Sequence, residues 1–271
     1  ACFNDDEMYL EKLIVNPHHV EFQILADSQG TIVHLGDRDC SIQRRGQKMI
    51  EETPSHVLSD ELRERMGTAA VAAARAAGYQ NAGTVEFVLD HTGEFYFIEM
   101  NTRIQVEHPI TEMVSDVDLV REQIRVAAGL PLGFTQEDIH IKGHAIECRV
   151  NAEDPTRNFA PSPARIDFLH VPGGMGVRVD TGIYQGYTVP AQYDSLIAKL
   201  DVWAPTRLEA LRRCRRALEE LIVEGPATNI DLLHQVMYHP QFIHGTYTTS
   251  FMDEHLQEIL GWDAEQKKVS A

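Results

Sequence analysis

The chain has 271 residues, 43% hydrophobic and 24% charged, with a formal net charge of −17 from 24 Lys and Arg against 41 Asp and Glu. That length allows one large or two ordinary domains with a sizeable core, and the acidic balance excludes broad contact with nucleic acid or an anionic membrane. No apolar run reaches the roughly 20 residues of a membrane span, the opening ACFNDDEMYLEKL does not read as a secretory signal, and Cys2, Cys40, Cys148 and Cys214 form no C-x-x-C motif, so a reducing, cytoplasmic compartment is the default.

In chain order, residues 20–26 (VEFQILA) and 31–35 (TIVHL) predict strands joined at a DSQG turn. The next segment, DRDCSIQRRGQK, predicts a polar, basic loop or edge strand. A helix is expected after Ser59, over ELRERMGTAAVAAARAA, ending at Gly78. Strands follow at 84–89 (TVEFVL) and 94–100 (EFYFIEM). Beyond Pro109 a helix is expected over about 117–128, with Ser115 and Asp118 as capping partners and Gly129 as its stop.

Residues 130–143 (LPLGFTQEDIHIKG) read as a joint, after which the pattern changes to short strands: HAIECRVN, ARIDFLHV, GVRVDTGI, YTVP and SLIAKLDVW. Pro205 then opens an Arg/Leu/Ala-rich helix to about Leu221, two short helices follow, and the polar end GWDAEQKKVSA reads as loose. The fold class is α+β in two parts. Arg44 and Arg45 read as structural and Asp194 as structural or dimer-related, the Arg run LRRCRRALEEL as a solvated helix face, and the scattered histidines need no metal.

The segment GEFYFIEMNTRIQVEHPITEM (93–113) carries the chemistry. Every second residue gives Phe95, Phe97, Glu99, Asn101, Arg103, Gln105 and Glu107, an apolar face that turns polar midway. Closing the hairpin with Thr92-Gly93 as a two-residue loop pairs His91 with Glu94 and, along the ladder, Glu86 with Glu99. Directly opposed side chains have Cβ atoms about 4.5–5.5 Å apart, so two carboxylates there repel. Either both acids face solvent, or a divalent cation lies between them, with Asn101 as a further hard-oxygen ligand.

These residues carry a family resemblance. EMNTRIQVEHPITEM, with GTVEF, DCSIQRRGQK and GHAIECRVNAEDP, resembles biotin carboxylase, an ATP-grasp enzyme, from about Met8 to about Leu256. The resemblance implies the C-terminal part of an ATP-grasp domain over 1–135, a biotin carboxylase C-terminal domain over 136–257 and a flexible tail over 258–271. It implies ATP with Mg²⁺ or Mn²⁺ as cofactors, and biotin as a carrier-bound substrate. Glu86, Glu99 and Asn101 would hold the metal. Arg103, Gln105 and the backbone of Val106 would bind bicarbonate, with Lys48 contacting bicarbonate or phosphates and Gln43 close by. Glu107 would be the general base, and Arg149 would stabilise the enolate-like form of biotin. Glu11, Lys12 and Ile14 would lie along the adenine, with His19 and Glu21 near the ribose and phosphates. The partners implied are a biotin carboxyl carrier protein or domain, a carboxyltransferase and a second copy of the chain, with no nucleic acid and no membrane.

Two departures qualify the resemblance. Gly46 stands where the family has a histidine or another side chain. The family's N-terminal domain and glycine-rich lid have no counterpart in these residues. The 271 residues alone are therefore expected to be inactive until the missing N-terminal half is supplied. Two other readings stand beside this one: a bicarbonate-activating ligase of the carbamoyl-phosphate synthetase type, and a non-catalytic dimerisation module.

Overall fold

The computed structural model describes residue 8 and residues 10–269, with side chains through residue 262. Its strands are β1 (His18–Ala26), β2 (Ile32–Arg44), β3 (Gln47–Thr53), β4 (Asn81–Leu89), β5 (Phe95–Asn101), β6 (His144–Asn151), β7 (Glu153–Asp154), β8 (Ala160–Pro161), β9 (Phe168–His170), β10 (Val177–Thr181), β11 (Leu196–Ala204) and β12 (Ile222–Glu224). Its α-helices are α1 (Asp60–Ala76), α2 (His108–Ser115), α3 (Leu119–Ala127), α4 (Arg207–Glu220), α5 (Ile230–Val236), α6 (Pro240–His244) and α7 (Phe251–Val269). Eight strands form one antiparallel sheet in the order β10-β11-β6-β3-β2-β1-β4-β5. The β3–β6 pairing carries that sheet across the 130–143 joint.

The alternation of side chains along a strand divides this sheet into two unlike faces. On one, Val20, Phe22 and Ile24 of β1 and Val85, Phe87 and Leu89 of β4 pack against Met66, Ala70 and Ala74 of α1. Ile146, Cys148 and Val150 of β6 join Ala210, Leu211 and Cys214 of α4 in the largest core. The intervening residues Glu21, Gln23, Thr84, Glu86, Glu147 and Arg149 point the other way, towards α2. Leu25 packs there against Leu119 and Val126 of α3.

The segment expected as a polar loop or edge strand is central instead. Residues 37–41 are all buried inside β2, which lies between β1 and β3. Burial of such a sequence requires partners for every charge, and Arg38 shows how this is met. Fully buried, it spends five N–H bonds on Glu21, Gln23, Thr111, Thr84 and Gln105.

Helix α1 begins where Ser59 accepts from the Leu62 N–H, and α3 where Asp118 accepts from the Arg121 N–H, both as expected. Helix α2 is absent from the sequence reading. Pro109 reads there as a boundary, whereas it occupies the first turn of a helix, where its absent N–H costs nothing. Helix α7 also runs on through the stretch expected as a tail from residue 258; residues 270–271 lie outside the described ones, as does Cys2.

Candidate active site

The β4–β5 hairpin sets Glu86 opposite Glu99, by a different route from the one expected. Its loop is a residue longer: Leu89 pairs with Phe95, and the turn closes with Asp90 N–H to Glu94 O at 2.9 Å and Gly93 N–H to Asp90 O at 3.2 Å. A bulge between the Glu86 and Phe87 pairings then inserts Ile98 and restores the offset. The bulge also explains the mixed row of side chains. Phe95 and Phe97 stay on the α1 side, in edge contact with Phe87. One extra residue turns Glu99 and Asn101 to the opposite face, beside Glu86. There the Asn101 amide nitrogen donates to Glu86 Oε1 at 2.8 Å and Glu99 Oε1 at 3.2 Å, so both carboxylates aim at one point.

Downstream of β5 the chain turns into α2, and Glu107 takes the N-cap position without capping the helix. Its carboxylate is buried between two cations. Lys48 Nζ lies 2.7 Å from Oε1, and Arg149 Nη2 lies 3.0 Å from Oε2. Lys48, on β3, also reaches Glu21 Oε2 at 2.5 Å and Glu86 Oε1 at 3.3 Å. Arg149, on β6, donates its Nε to Glu51 Oε1 at 2.6 Å. Gln105 links the two buried layers, donating to Glu86 Oε1 at 2.7 Å while its own oxygen accepts from Arg38 at 3.0 Å. His19 Nε2 lies 2.6 Å from Glu86 Oε2.

This packing sets the charges. Burial raises the Glu86 carboxyl, but the hydrogen bond to His19, the Lys48 ammonium and Gln105 outweigh it and hold it at about 2. Burial likewise opposes ionisation of Glu21, and Arg38 and Lys48 bring it to about 2. Burial lowers the Lys48 ammonium, yet the acids around it hold it above its ordinary value.

A cleft of about 540 Å³ opens over this network. Its wall includes Gln43, Lys48, Glu86, Glu99, Asn101, Arg103, Gln105, Val106, Glu107 and Arg149, so ten of the residues singled out from sequence meet in one place. Arg103 is exposed, and among the described residues its guanidinium touches no carboxylate and reaches only Ile104 O at 3.1 Å and Asn101 Oδ1 at 3.5 Å. His19 also lines the cleft, and Glu21 lies beneath it. Glu11, Lys12 and Ile14 lie outside the lining, with Lys12 Nζ 2.6 Å from the Tyr96 hydroxyl.

Sequence reasoning misses three contributors. Arg38 is hidden because its segment reads as a loop. Asp194, expected to be structural or dimer-related, lines the cleft. Lys199 donates to the Val106 carbonyl at 2.9 Å, which holds the turn carrying Val106 and Glu107; only pairing of β11 with β6 brings it there. Arg44, by contrast, is structural as expected, bound to Asn158 Oδ1 at 2.6 Å and stacked on Phe159.

Comparison with known proteins gives two family matches: the carbamoyl-phosphate synthase L chain ATP binding domain over residues 1–135, and the biotin carboxylase C-terminal domain over 147–254. The chain is 55% identical over 269 residues to a pyruvate carboxylase subunit from Methanothermobacter thermautotrophicus, covering 99% of this chain and 54% of that protein. It is 55% identical to the biotin carboxylase of a Nostoc species, covering 94% of this chain and 57% of that one. Among solved structures, the biotin carboxylase domain of Hydrogenobacter thermophilus 2-oxoglutarate carboxylase, in complex with MgADP, ADP and bicarbonate, superposes with a TM-score of 0.90 at 52% identity, covering 92% of this chain and 55% of that one. The chain thus spans about half the length of the curated relatives it matches.

Proposed function

The chain belongs to the biotin carboxylase family, and from that premise we propose that its cleft forms the metal, bicarbonate and biotin side of an ATP-dependent carboxylation of biotin. The observation that carries the reading is the placement of Glu107. One carboxylate oxygen meets Lys48 on the side of the Glu86–Glu99 pair, and the other meets Arg149 on the far side. A single base thus stands between the place for phosphates and the place for a second substrate.

The residues fit the metal. Glu86 and Glu99 bring two hard oxygens to one point, with the Asn101 amide beside them, the donor chemistry that Mg²⁺ prefers. Bound there, the ion would neutralise charge on the phosphates of ATP, which is most of what phosphoryl transfer asks of an enzyme. The chain's own part is positioning and proton handling. Arg103, free of carboxylates among the described residues and able to present a planar fork, would take bicarbonate in a bidentate grip. Gln105 and the Val106 N–H would add neutral donors, and Glu107 would remove the bicarbonate proton so that its oxygen attacks the γ-phosphate. The carboxyphosphate formed would release CO₂ next to biotin, and the Arg149 guanidinium would stabilise the oxyanion of the deprotonated ring. The proposal extends to a biotin carrier, a downstream carboxyltransferase, pairing with a second copy, Mn²⁺ as a substitute metal and a cytoplasmic setting. Among the described residues no helix is long and apolar enough to cross a membrane.

The test supplies this chain with the remaining half of a relative such as the Nostoc enzyme and measures transfer of labelled bicarbonate to biotin. ATP- and biotin-dependent incorporation supports the reading. ATP hydrolysis driven by ammonia in place of biotin would move the chain to the carbamoyl-phosphate type, which the first family match keeps in view.

A further inference from the structure

Behind the cleft, the sheet face under α2 carries charged side chains in two rows that run across the strands. In the row at the cleft, Asp180 of β10 pairs with Lys199 of β11, and Lys199 pairs with Arg149 of β6. In the next row, Arg178 of β10 stands opposite Asp201, Asp201 opposite Glu147, and Glu147 opposite Glu51 of β3. Three acids are therefore consecutive neighbours, and all three are fully buried at 0% exposure. Ile110 and Val114 of α2 pack with Ala145, the next residue of β6 on the same side, and close the region from solvent.

Glu51 has a partner in the Arg149 Nε. Neither oxygen of Glu147 and neither oxygen of Asp201 has a hydrogen-bond donor among the described residues. Two ionised carboxylates about 5 Å apart in such a place repel by several kcal/mol even at an effective dielectric of about 20, and each would forgo its hydration without compensation. The charges that face the pair do not supply it. The cations are Arg178, Lys199, Arg149 and, beside Glu51, Lys48; on the sheet they meet Asp180, Asp201, Glu147 and Glu51, and Glu107 and Glu112 of α2 bring the acids to six against four. From α2, Glu112 takes Arg178 at 2.8 Å, Glu107 takes Arg149, and the His108 side chain is held towards its neutral form by burial, despite its bond to the Gln105 carbonyl. A proton held by the pair reduces this excess and supplies a hydrogen bond that neither carboxylate has without it.

We propose that Glu147 and Asp201 share a single proton, and that this pair allows Glu51 to act as the positioning residue of Arg149. With the proton in place, Glu51 has a neutral partner behind it, and its Oε1 holds the guanidinium so that Nη2 reaches Glu107. With the proton lost, the acidic row draws the Arg149 cation away from Glu107 and the cleft. Burial raises all three acids, Asp201 to about 6 and Glu51 to about 7, and at Glu147 the facing Asp201 and Glu51 add to the rise, in keeping with this arrangement. The part Arg149 plays with biotin rests on the function proposed above; the shared proton does not.

Two measurements on the 271-residue chain decide the matter. In infrared spectra at neutral pH, wild type should show the C=O stretch of a protonated buried carboxyl, and the double variant Glu147→Gln/Asp201→Asn should lose it. In ¹⁵N-arginine NMR, the Nε–H resonance of Arg149, identified by its loss in Arg149→Lys, should move with pH in wild type and stay fixed in Asp201→Asn. A wild-type spectrum without that band, or an Arg149 resonance that titrates identically in Asp201→Asn, overturns the proposal. Should the variants fail to fold, the wild-type band decides alone. Both readouts are independent of turnover, so a chain that shows them but carboxylates no biotin refutes the function and leaves the pair standing.

Discussion

A fully buried arginine with five partners and a base held by two cations set the energetics of this site. Arg38→Met removes all five hydrogen bonds and leaves Glu21 buried with Lys48 as its remaining cation. Breaking one side of such a pair costs about 3–5 kcal/mol, to be read as a loss of unfolding free energy in urea. Glu107→Gln should lower biotin-dependent bicarbonate activation in the complemented enzyme by about 10²–10⁴-fold, the usual worth of a positioned base. Glu21 also gives the chain an acid limit. Its carboxyl drops from the ordinary 4.5 to about 2 on folding, so it contributes stability above pH 4.5 that disappears as pH falls through about 2. Thermal unfolding followed down that range should show a steeper loss in wild type than in Glu21→Gln. The residue order is informative where a motif carries it, as in Arg103 to Glu107. It is silent on Arg38, because a charged residue in a polar run carries no mark of burial.

The β4–β5 hairpin and the β2–β3 turn show what single elements contribute. Opposition of Glu86 and Glu99 is legible in the sequence, although the longer loop and the bulge are not, and their two offsets cancel. A strand read with strict period two cannot reveal a bulge, since the inserted Ile98 is as apolar as its neighbours. Deleting Ile98 should therefore be tolerated by the site. Glu99 would follow Phe97 directly and stay opposite Glu86 by plain alternation, with Asn101 opposite Thr84, so Mg²⁺ affinity measured by calorimetry should persist. The β2–β3 turn places Arg45 and Gly46 at φ of 50° and 77°, the left-handed pair of a two-residue hairpin. A Cβ at Gly46 meets nothing within 4 Å. Gly46→His should therefore cost only the backbone strain of about 1–2 kcal/mol, seen as a small drop in Tm, while placing an imidazole at the cleft that Gly46 lines.

Across the joint, the two parts of the chain are tied together by Glu52 of β3. Its carboxylate takes His144 of β6 at 2.6 Å, Arg207 of α4 at 2.7 and 3.0 Å, and the Tyr247 hydroxyl beyond α6. The His144 ring, the Arg207 guanidinium and the sheet all depend on one buried charge. Glu52→Ala should lower unfolding free energy by about 3–5 kcal/mol, and loss of cooperativity in the denaturant transition would show the two parts separating. The chain holds no glycine-rich phosphate loop within its 271 residues. Bicarbonate-dependent ATP hydrolysis should accordingly be absent from the chain alone and appear on complementation.

Amino-acid order alone settles the α+β class, most strand and helix positions, and the succession of motif residues. Each of these follows from local periodicity, capping side chains and spacing along the backbone. Three-dimensional packing is needed to put the polar segment at 37–48 in the centre of the sheet and to bring Lys199 and Asp194 to the cleft. It is needed again to stack three neighbouring acids behind Arg149. Those facts depend on which strands become neighbours, and pairing between β3 and β6 or β6 and β11 joins residues roughly 50 to 100 positions apart, beyond the reach of any local signal.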